Sequence, residues 1–570
     1  MAKDRYNVTD IPAPFDISCD MKVIMLPMRD GVKLHTTLYF PTDMPEKLPA
    51  MIFRTPYSRT TWLDLPNPLA LKHKCVYVIQ ACRGTGWSEG GVFNPADKEA
   101  EKNDAEDLFD FLESQSWFNG KCAMFGASYP GWTQWSAMRA AHPALVGTSP
   151  RVAPLYSCCG AAKPDGSMSL SFAINWPLSM YHRRTYGYEG VPSFDDMKTP
   201  EQLPVIDADK FVYDQELPIF RNFMNVVNNP GEFLADYQQY CSRMIAPAFI
   251  SGGWFDGFKS ETIESFQLMK RTAATASARN FTRLTVGPWG HGGLLNPELF
   301  GAENDYRELL KREEQFLYGL LDDPASDPLP SNDPAVRFFM LCENRWYDTC
   351  DWPPPGNTQK IMFLHSGGNA NSLHGDGRIS GTAPQDELPD SYISDPLHPV
   401  SSTGGKHSVL ACYDRSFMEE KNDMLVYTGE KFTEPMTVTG MVKLRFYASA
   451  TTPDTDFFAT LTDLTPDGKS MLLTSGMIRA RYRNSLDKEE LLVPGEIYQF
   501  EIDLGDIAVK FMPGHAMRLE IHGQEFPNRN RNLQTGAPVL TDTNPRTAVC
   551  RIYHDAEHPA ELHLPVNNTF

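Results

Sequence analysis

The stretch Lys121-Cys122-Ala123-Met124-Phe125-Gly126-Ala127-Ser128-Tyr129-Pro130-Gly131-Trp132 decides how this chain is read. Lys121–Phe125 is a compact apolar run that reads as a buried strand, and the segment that follows carries Trp132, Trp135 and Met138 in a helical pattern. A strand, a small residue, a serine and a helix meet the steric demand of a serine held on a strained turn, whose close neighbours must be small to avoid clashes. The strict spacing has glycine two positions after the serine; here Pro130 stands there and the glycine falls at 131. Taken alone, the motif is also what an ordinary helix-capping serine looks like.

Working outward, strands and helices alternate. Val23–Leu26 and Leu34–Tyr39 flank an Asp30-Gly31 turn signal. Met51–Arg54 and Cys75–Gln80 read as buried strands, and Ala144–Val152 as another. Asn103 or Asp104 is the expected cap of a helix with Leu108, Phe109, Phe111 and Leu112 on one stripe, and His142 is read as part of the helix after Ser128. From Tyr156 to Met244 strand signals fade and aromatic helical segments appear, Phe172–Tyr181 and Phe220–Val227. The alternation then resumes with Pro247–Ser251, a helix from Glu261, Phe281–Val286 and a long helix near Asn304–Leu321. This predicts one α/β domain with a mostly parallel sheet and a helical insertion. Beyond Arg345 the runs Met424–Tyr427, Met436–Ala448, Asp456–Asp463, Met471–Tyr482, Ile497–Leu504 and His515–His522 predict an antiparallel sandwich. The expected division is residues 1–155 and 245–345 for the two parts of the α/β domain, 156–244 for the helical cap, and 346–570 for the C-terminal β domain.

Composition narrows the function. Of 570 residues, 41 % are hydrophobic and 22 % charged, which suits a large buried core. Lys and Arg number 52 against 72 Asp and Glu, a net charge of −20 that repels nucleic acid and anionic membranes. Apolar runs such as Cys75–Ile79 are about five residues, where a membrane span needs about twenty. The polar N-terminus shows no apolar leader, and the 11 cysteines form no CxxC pair, so reduced thiols and a cytoplasmic location are expected.

A serine nucleophile needs a base, and the base needs an orienting carboxylate, each on a loop after a strand. Two loops qualify. Ser251-Gly252-Gly253-Trp254-Phe255-Asp256-Gly257 puts Asp256 beyond one strand, and Gly287-Pro288-Trp289-Gly290-His291 puts His291 beyond the next. Each alone reads equally as a turn aspartate or a surface histidine; jointly, in this order, they favour chemistry. No HExxH or clustered Cys/His set exists, so no metal and no cofactor is required. Acyl transfer also needs oxyanion donors: the Tyr129 amide at the helix start is one, and Tyr57 after Met51–Arg54 offers a hydroxyl or is simply a packed aromatic. Arg83 and Glu89 are expected to form a local pair in a Gly-rich loop.

Thr55-Pro56-Tyr57, Cys82-Arg83-Gly84-Thr85-Gly86-Trp87-Ser88-Glu89-Gly90, Gly126 to Gly131, Gly253 to Gly257 and Gly287 to His291 together resemble the successive signatures of the cocaine-esterase-like serine hydrolases. That family is related to X-prolyl dipeptidyl aminopeptidases, α-amino-acid ester hydrolases and glutaryl-cephalosporin acylases. Asp463 to Gly468 and Phe511 to His515 resemble its C-terminal jelly roll, so the likeness covers nearly the whole chain. The resemblance implies an α/β-hydrolase fold with a helical cap and a galactose-binding-like jelly roll. It implies Ser128 as nucleophile, Asp256 as orienting acid, His291 as base, and Tyr57 with the Tyr129 amide as oxyanion hole. It also implies Trp176, Trp254 and Phe258 as walls of the acyl pocket. Two departures stand out: Ala81 replaces the family's usual Asp, and Phe255 its usual Tyr.

The expected activity is hydrolysis of a small-molecule carboxylic ester, with amide cleavage by an aminopeptidase or acylase as the alternative. A peptidase needs carboxylates for a substrate ammonium; Asp195, Asp196, Asp207 and Asp209 are available but read as an exposed acidic loop. A non-catalytic carbohydrate-binding protein is the rival from another class. No nucleic-acid or membrane partner is expected, and a homodimer is left open.

Overall fold

The computed structural model describes residues 19–42, 47–57, 73–95, 97–156, 166–186, 202–228, 237–294, 297–301, 306–402 and 412–570. The Asp30-Gly31 signal becomes a hairpin of β1 (Cys19–Pro27) and β2 (Lys33–Pro41). Then come β3 (Leu48–Thr55), β4 (Val76–Ala81), β5 (Phe118–Ala127), β6 (Leu145–Arg151), β7 (Phe249–Gly253) and β8 (Arg283–Gly287). A short hairpin of β9 (Trp289–Gly290) and β10 (Gly293–Leu294) precedes β11 (Val336–Met340) and β12 (Arg345–Thr349). The main sheet has the order β1-β2-β4-β3-β5-β6-β7-β8-β11-β12, parallel from β4 to β11 and antiparallel at both edges. Every residue of β4, β7 and β8 is buried, as helices covering both faces of a parallel sheet require. The expected boundary at residue 345 falls on the first residue of β12, so this sheet runs slightly further than the sequence suggested.

The helix after β4 spans Lys98–Glu113 and is capped by Asp97, whose side chain accepts from the Ala100 amide. Asn103 and Asp104 therefore lie inside it, and Asp104 is buried. His142 lies beyond the end of the helix Tyr129–Met138, not within it. Between β6 and β7 the chain is helical, with Leu170–Tyr186, Ala208–Tyr213, Pro218–Asn228 and Tyr237–Cys241. Leu178, Phe220, Phe223 and Met224 of this insertion share one apolar cluster with Tyr129 and Trp132. The insertion is thereby seated directly on the helix that follows Ser128.

The C-terminal part is an eleven-stranded sheet, antiparallel except where Arg378–Ser380 meets Met424–Gly429. It holds all six expected strands plus five others: Thr358–His365, Arg378–Ser380, Asp390–Ser394, Ala548–Tyr553 and Glu561–Val566. Its apolar face merges with the first sheet into one core containing Phe339, Trp352, Ile507 and Val509. Backbone bonds from Leu341 to Ala508 (2.9 Å) and Lys510 to Leu341 (3.1 Å) stitch the two together. Among the described residues no helix is long and apolar enough to cross a membrane.

Candidate active site

Ser128 stands between β5 and its helix at φ 63°, ψ −126°, a conformation that side chains other than glycine rarely adopt. Its amide donates to the Arg151 carbonyl at 2.9 Å, and its carbonyl accepts from Gly131 and Trp132. The helix packs so tightly that a Cβ on Gly131 would lie 2.3 Å from that of Ala153. The Ser128 side chain makes no capping bond, so the capping-serine reading does not hold. The hydroxyl lies instead 2.9 Å from His291 Nε2.

Asp256 follows β7 and is 2 % exposed. Its Oδ1 accepts from the Phe258 amide at 2.6 Å, and Oδ2 lies 2.8 Å from His291 Nδ1. The two loops meet because Gly253 lets the Trp289 backbone approach: a Cβ there would sit 1.9 Å from the Trp289 carbonyl oxygen. Trp254 and Phe255 amides donate to the Gly287 and Trp289 carbonyls, tying the acid loop to the histidine loop. With the carboxylate at Nδ1, the neutral imidazole carries its proton there and presents Nε2 as acceptor to the serine. Burial opposes the charged ring, but the charge of Asp256 and its hydrogen bond outweigh that and hold the His291 pKa above 6.5.

Tyr129 opens the helix, where backbone amides have no partner within the helix and are able to receive negative charge. Its ring stacks on Trp176, centroids 5.8 Å apart and 16° between planes. The Trp176 Nε1 donates to the Tyr57 hydroxyl at 3.1 Å, which joins Tyr57 to the same group. Phe258 sets its ring against His291 at 5.3 Å, and Phe172 lies between Phe258 and Trp176. A cavity of about 310 Å³ opens beside Tyr57, walled by Val92, Phe93, Met180, Arg183 and Ile219.

Three expectations are corrected. Trp254 is a core residue and not a pocket wall: it is 2 % exposed, donates to the Phe339 carbonyl at 2.7 Å and packs on Trp352. Arg83 does not pair with Glu89; its guanidinium meets Asp104 and Asp30, both at 2.6 Å. Asp209 is not on an exposed loop: it is buried, bonded to Arg221 at 2.7 Å and to the Leu217 amide. Asp207 is half-buried and also meets Arg221, while Asp195 and Asp196 lie outside the described residues.

One polar group beside the site escaped the sequence reading. Glu261, in the first turn of the helix Lys259–Thr272, accepts from the Leu155 and Tyr156 amides at 2.6 and 3.0 Å. Burial, with smaller contributions from Glu264 and Asp256, raises its pKa to about 7 against those two bonds. The signal was an acidic residue in the first turn after the Asp256 loop, where an N-terminal carboxylate is common for purely helical reasons.

Known proteins resemble this chain along nearly its whole length. The profile of the X-Pro dipeptidyl-peptidase (S15) family matches residues 30–293, and that of the X-Pro dipeptidyl-peptidase C-terminal non-catalytic domain matches 331–563. Cocaine esterase from Rhodococcus sp. (strain MB1 Bresler) is 30 % identical over 95 % of this chain and 98 % of its own. Among solved structures, an α-amino acid ester hydrolase superposes with TM-score 0.80 at 22 % identity, covering all of both chains. An aminopeptidase from a marine sediment Thaumarchaeota archaeon does so with TM-score 0.80 at 22 % identity over 98 % of each chain.

Proposed function

The chain belongs to the cocaine-esterase family of hydrolases, and from that premise we propose that it cleaves carboxylic esters through an acyl-enzyme on Ser128. The observation that carries this reading is the unbroken line from Ser128 Oγ to His291 Nε2 and from His291 Nδ1 to Asp256 Oδ2, at 2.9 and 2.8 Å. His291 takes the hydroxyl proton as Oγ bonds to the carbonyl carbon, and the Tyr57 hydroxyl and Tyr129 amide receive the oxyanion. The imidazolium then gives its proton to the departing alcohol, and water repeats the cycle on the acyl-enzyme. None of these steps calls on a metal.

An ester is favoured over a peptide with a free amino end because the buried cap carboxylate Asp209 is already neutralised by Arg221. The test pairs a fluorophosphonate probe with p-nitrophenyl butyrate and an X-Pro aminocoumarin. The reading requires labelling that Ser128→Ala abolishes, together with ester turnover exceeding that of the dipeptide. Undiminished turnover in pure Ser128→Ala protein rejects it.

A further inference from the structure

We propose that Trp176 is a positioning residue of the oxyanion hole, fixing the direction in which the Tyr57 hydroxyl gives its proton; this rests on the acyl-enzyme reading above. The indole N–H is a donor and nothing else, so at 3.1 Å it makes the Tyr57 oxygen the acceptor. The phenol has a single proton, which cannot lie on the line to the indole; in the acyl-enzyme reading its acceptor is the oxyanion. A hydroxyl that accepts one hydrogen bond also gives a stronger one, by roughly 10–30 % per bond. The Arg183 guanidinium stands over the other part of the phenol, 5.6 Å from the Tyr57 ring centre, and helps to hold the ring.

The indole is held as a part whose orientation matters. Tyr129 stacks on it, and Phe93, Phe172 and Phe223 pack around it at 5.8, 6.1 and 5.8 Å. One side chain thus touches both residues assigned to the oxyanion: it stacks on Tyr129 and donates to Tyr57. A residue serving only as an apolar wall has no use for its N–H, and a phenylalanine would fill that role.

Trp176→Phe keeps the ring and removes the N–H. On p-nitrophenyl butyrate the expected result is a kcat lower by about tenfold with KM changed less than about twofold, because the lost interaction acts only as charge develops. In a Tyr57→Phe background the same substitution should cost nothing more, since its effect passes through that hydroxyl. Replacement of Trp176 by the isosteric benzothienylalanine, whose sulfur stands where the N–H was, repeats the test without disturbing packing and decides the matter if Trp176→Phe does not fold. Unchanged kcat, a change confined to KM, or losses that multiply in the double variant each overturn the proposal. Turnover surviving in Ser128→Ala would instead overturn the acyl-enzyme reading itself, so the two failures are distinct.

Discussion

His291 Nε2 stands 2.9 Å from Ser128 Oγ across 163 positions of sequence. The same ring is held by Asp256, whose charge keeps the imidazolium stable above the ordinary 6.5 in spite of burial. Only the neutral ring accepts the serine proton, so kcat/KM should fall as pH drops through a value above 6.5. In Asp256→Asn that limb should move down, with kcat reduced by about 10³–10⁴. The linked stability runs the other way: a raised histidine pKa stabilises the fold below the unfolded value, and that contribution is lost as pH rises through the folded one. Profiles of kcat/KM from about pH 5 to pH 9 for both proteins check this, and a limb that stays in place in Asp256→Asn refutes it.

Gly131 and Ala153 leave no room between the helix after Ser128 and the strand end beside it. Gly131→Ala should therefore displace the helix, lowering Tm by several degrees and slowing fluorophosphonate labelling of Ser128 at least about tenfold. The relevant contact is Cβ to Cβ at 2.3 Å, so Ala153→Gly in the same chain should restore much of both. A double variant no better than the single one would place the strain elsewhere.

Glu261 gives a pH signature of opposite kind to the usual surface carboxylate. Its folded pKa near 7 lies above the ordinary 4.5, so the folded chain holds that proton more tightly than the unfolded one. Stability is then lost as pH rises through that window, as the buried carboxyl becomes charged. Glu261→Gln keeps an acceptor for the Leu155 amide but never charges. Its Tm relative to wild type should rise between about pH 5 and pH 8, by about two degrees in total. A difference independent of pH would mean the carboxyl is ionised throughout.

The convergence of Ser128, Asp256 and His291 was legible because the three stand on loops after successive apolar runs in one chain order, although each alone was ambiguous. Trp254 was misplaced because adjacency to Asp256 says nothing about which side of the turn a ring faces; it faces Trp352. Trp176 was expected only as a pocket wall, and its bond to Tyr57 was beyond reach because no motif spacing ties an indole N–H to a phenol 119 positions away. Five C-terminal strands were missed: Thr358–His365 hides its pattern because its first four residues are all exposed, whereas Asp390–Ser394 and Ala548–Tyr553 alternate but span only five and six residues. Arg83 was paired with the nearest carboxylate in sequence, whereas the fold brings Asp104 and Asp30 from 21 and 53 positions away.

That Arg83 pairing has a measurable cost. Asp104 is fully buried in its helix, so Arg83→Met strands a carboxylate and should destabilise by about 3 kcal/mol. Adding Asp104→Asn removes the stranded charge and should recover more than half. Urea unfolding of the two variants reads this directly, and a loss below about 1 kcal/mol in the single variant would show the pair to be merely superficial.

A loop of the C-terminal part meets the start of the helix that carries Trp176 through Asn530. Its Oδ1 accepts from the Ser167 hydroxyl at 3.0 Å and the Met168 amide at 2.7 Å, and its own amide donates to the Met168 carbonyl. The Leu170 amide, first in the helix that carries Trp176, donates to the Asn528 carbonyl. Behind this loop, Arg479 is locked on Asp456 at 2.8 Å and also donates to the Asn530 carbonyl. Asn530→Ala removes an acceptor shared by two donors and loosens the start of that helix, and with it the seat of the indole. The expected result is a kcat lowered by about threefold to tenfold with a loss of about 1–3 kcal/mol in stability. Because the effect on kcat passes through Trp176, it should vanish in a Trp176→Phe background while the loss of stability remains. A kcat penalty that persists there would mean that the C-terminal part acts on the site by another route.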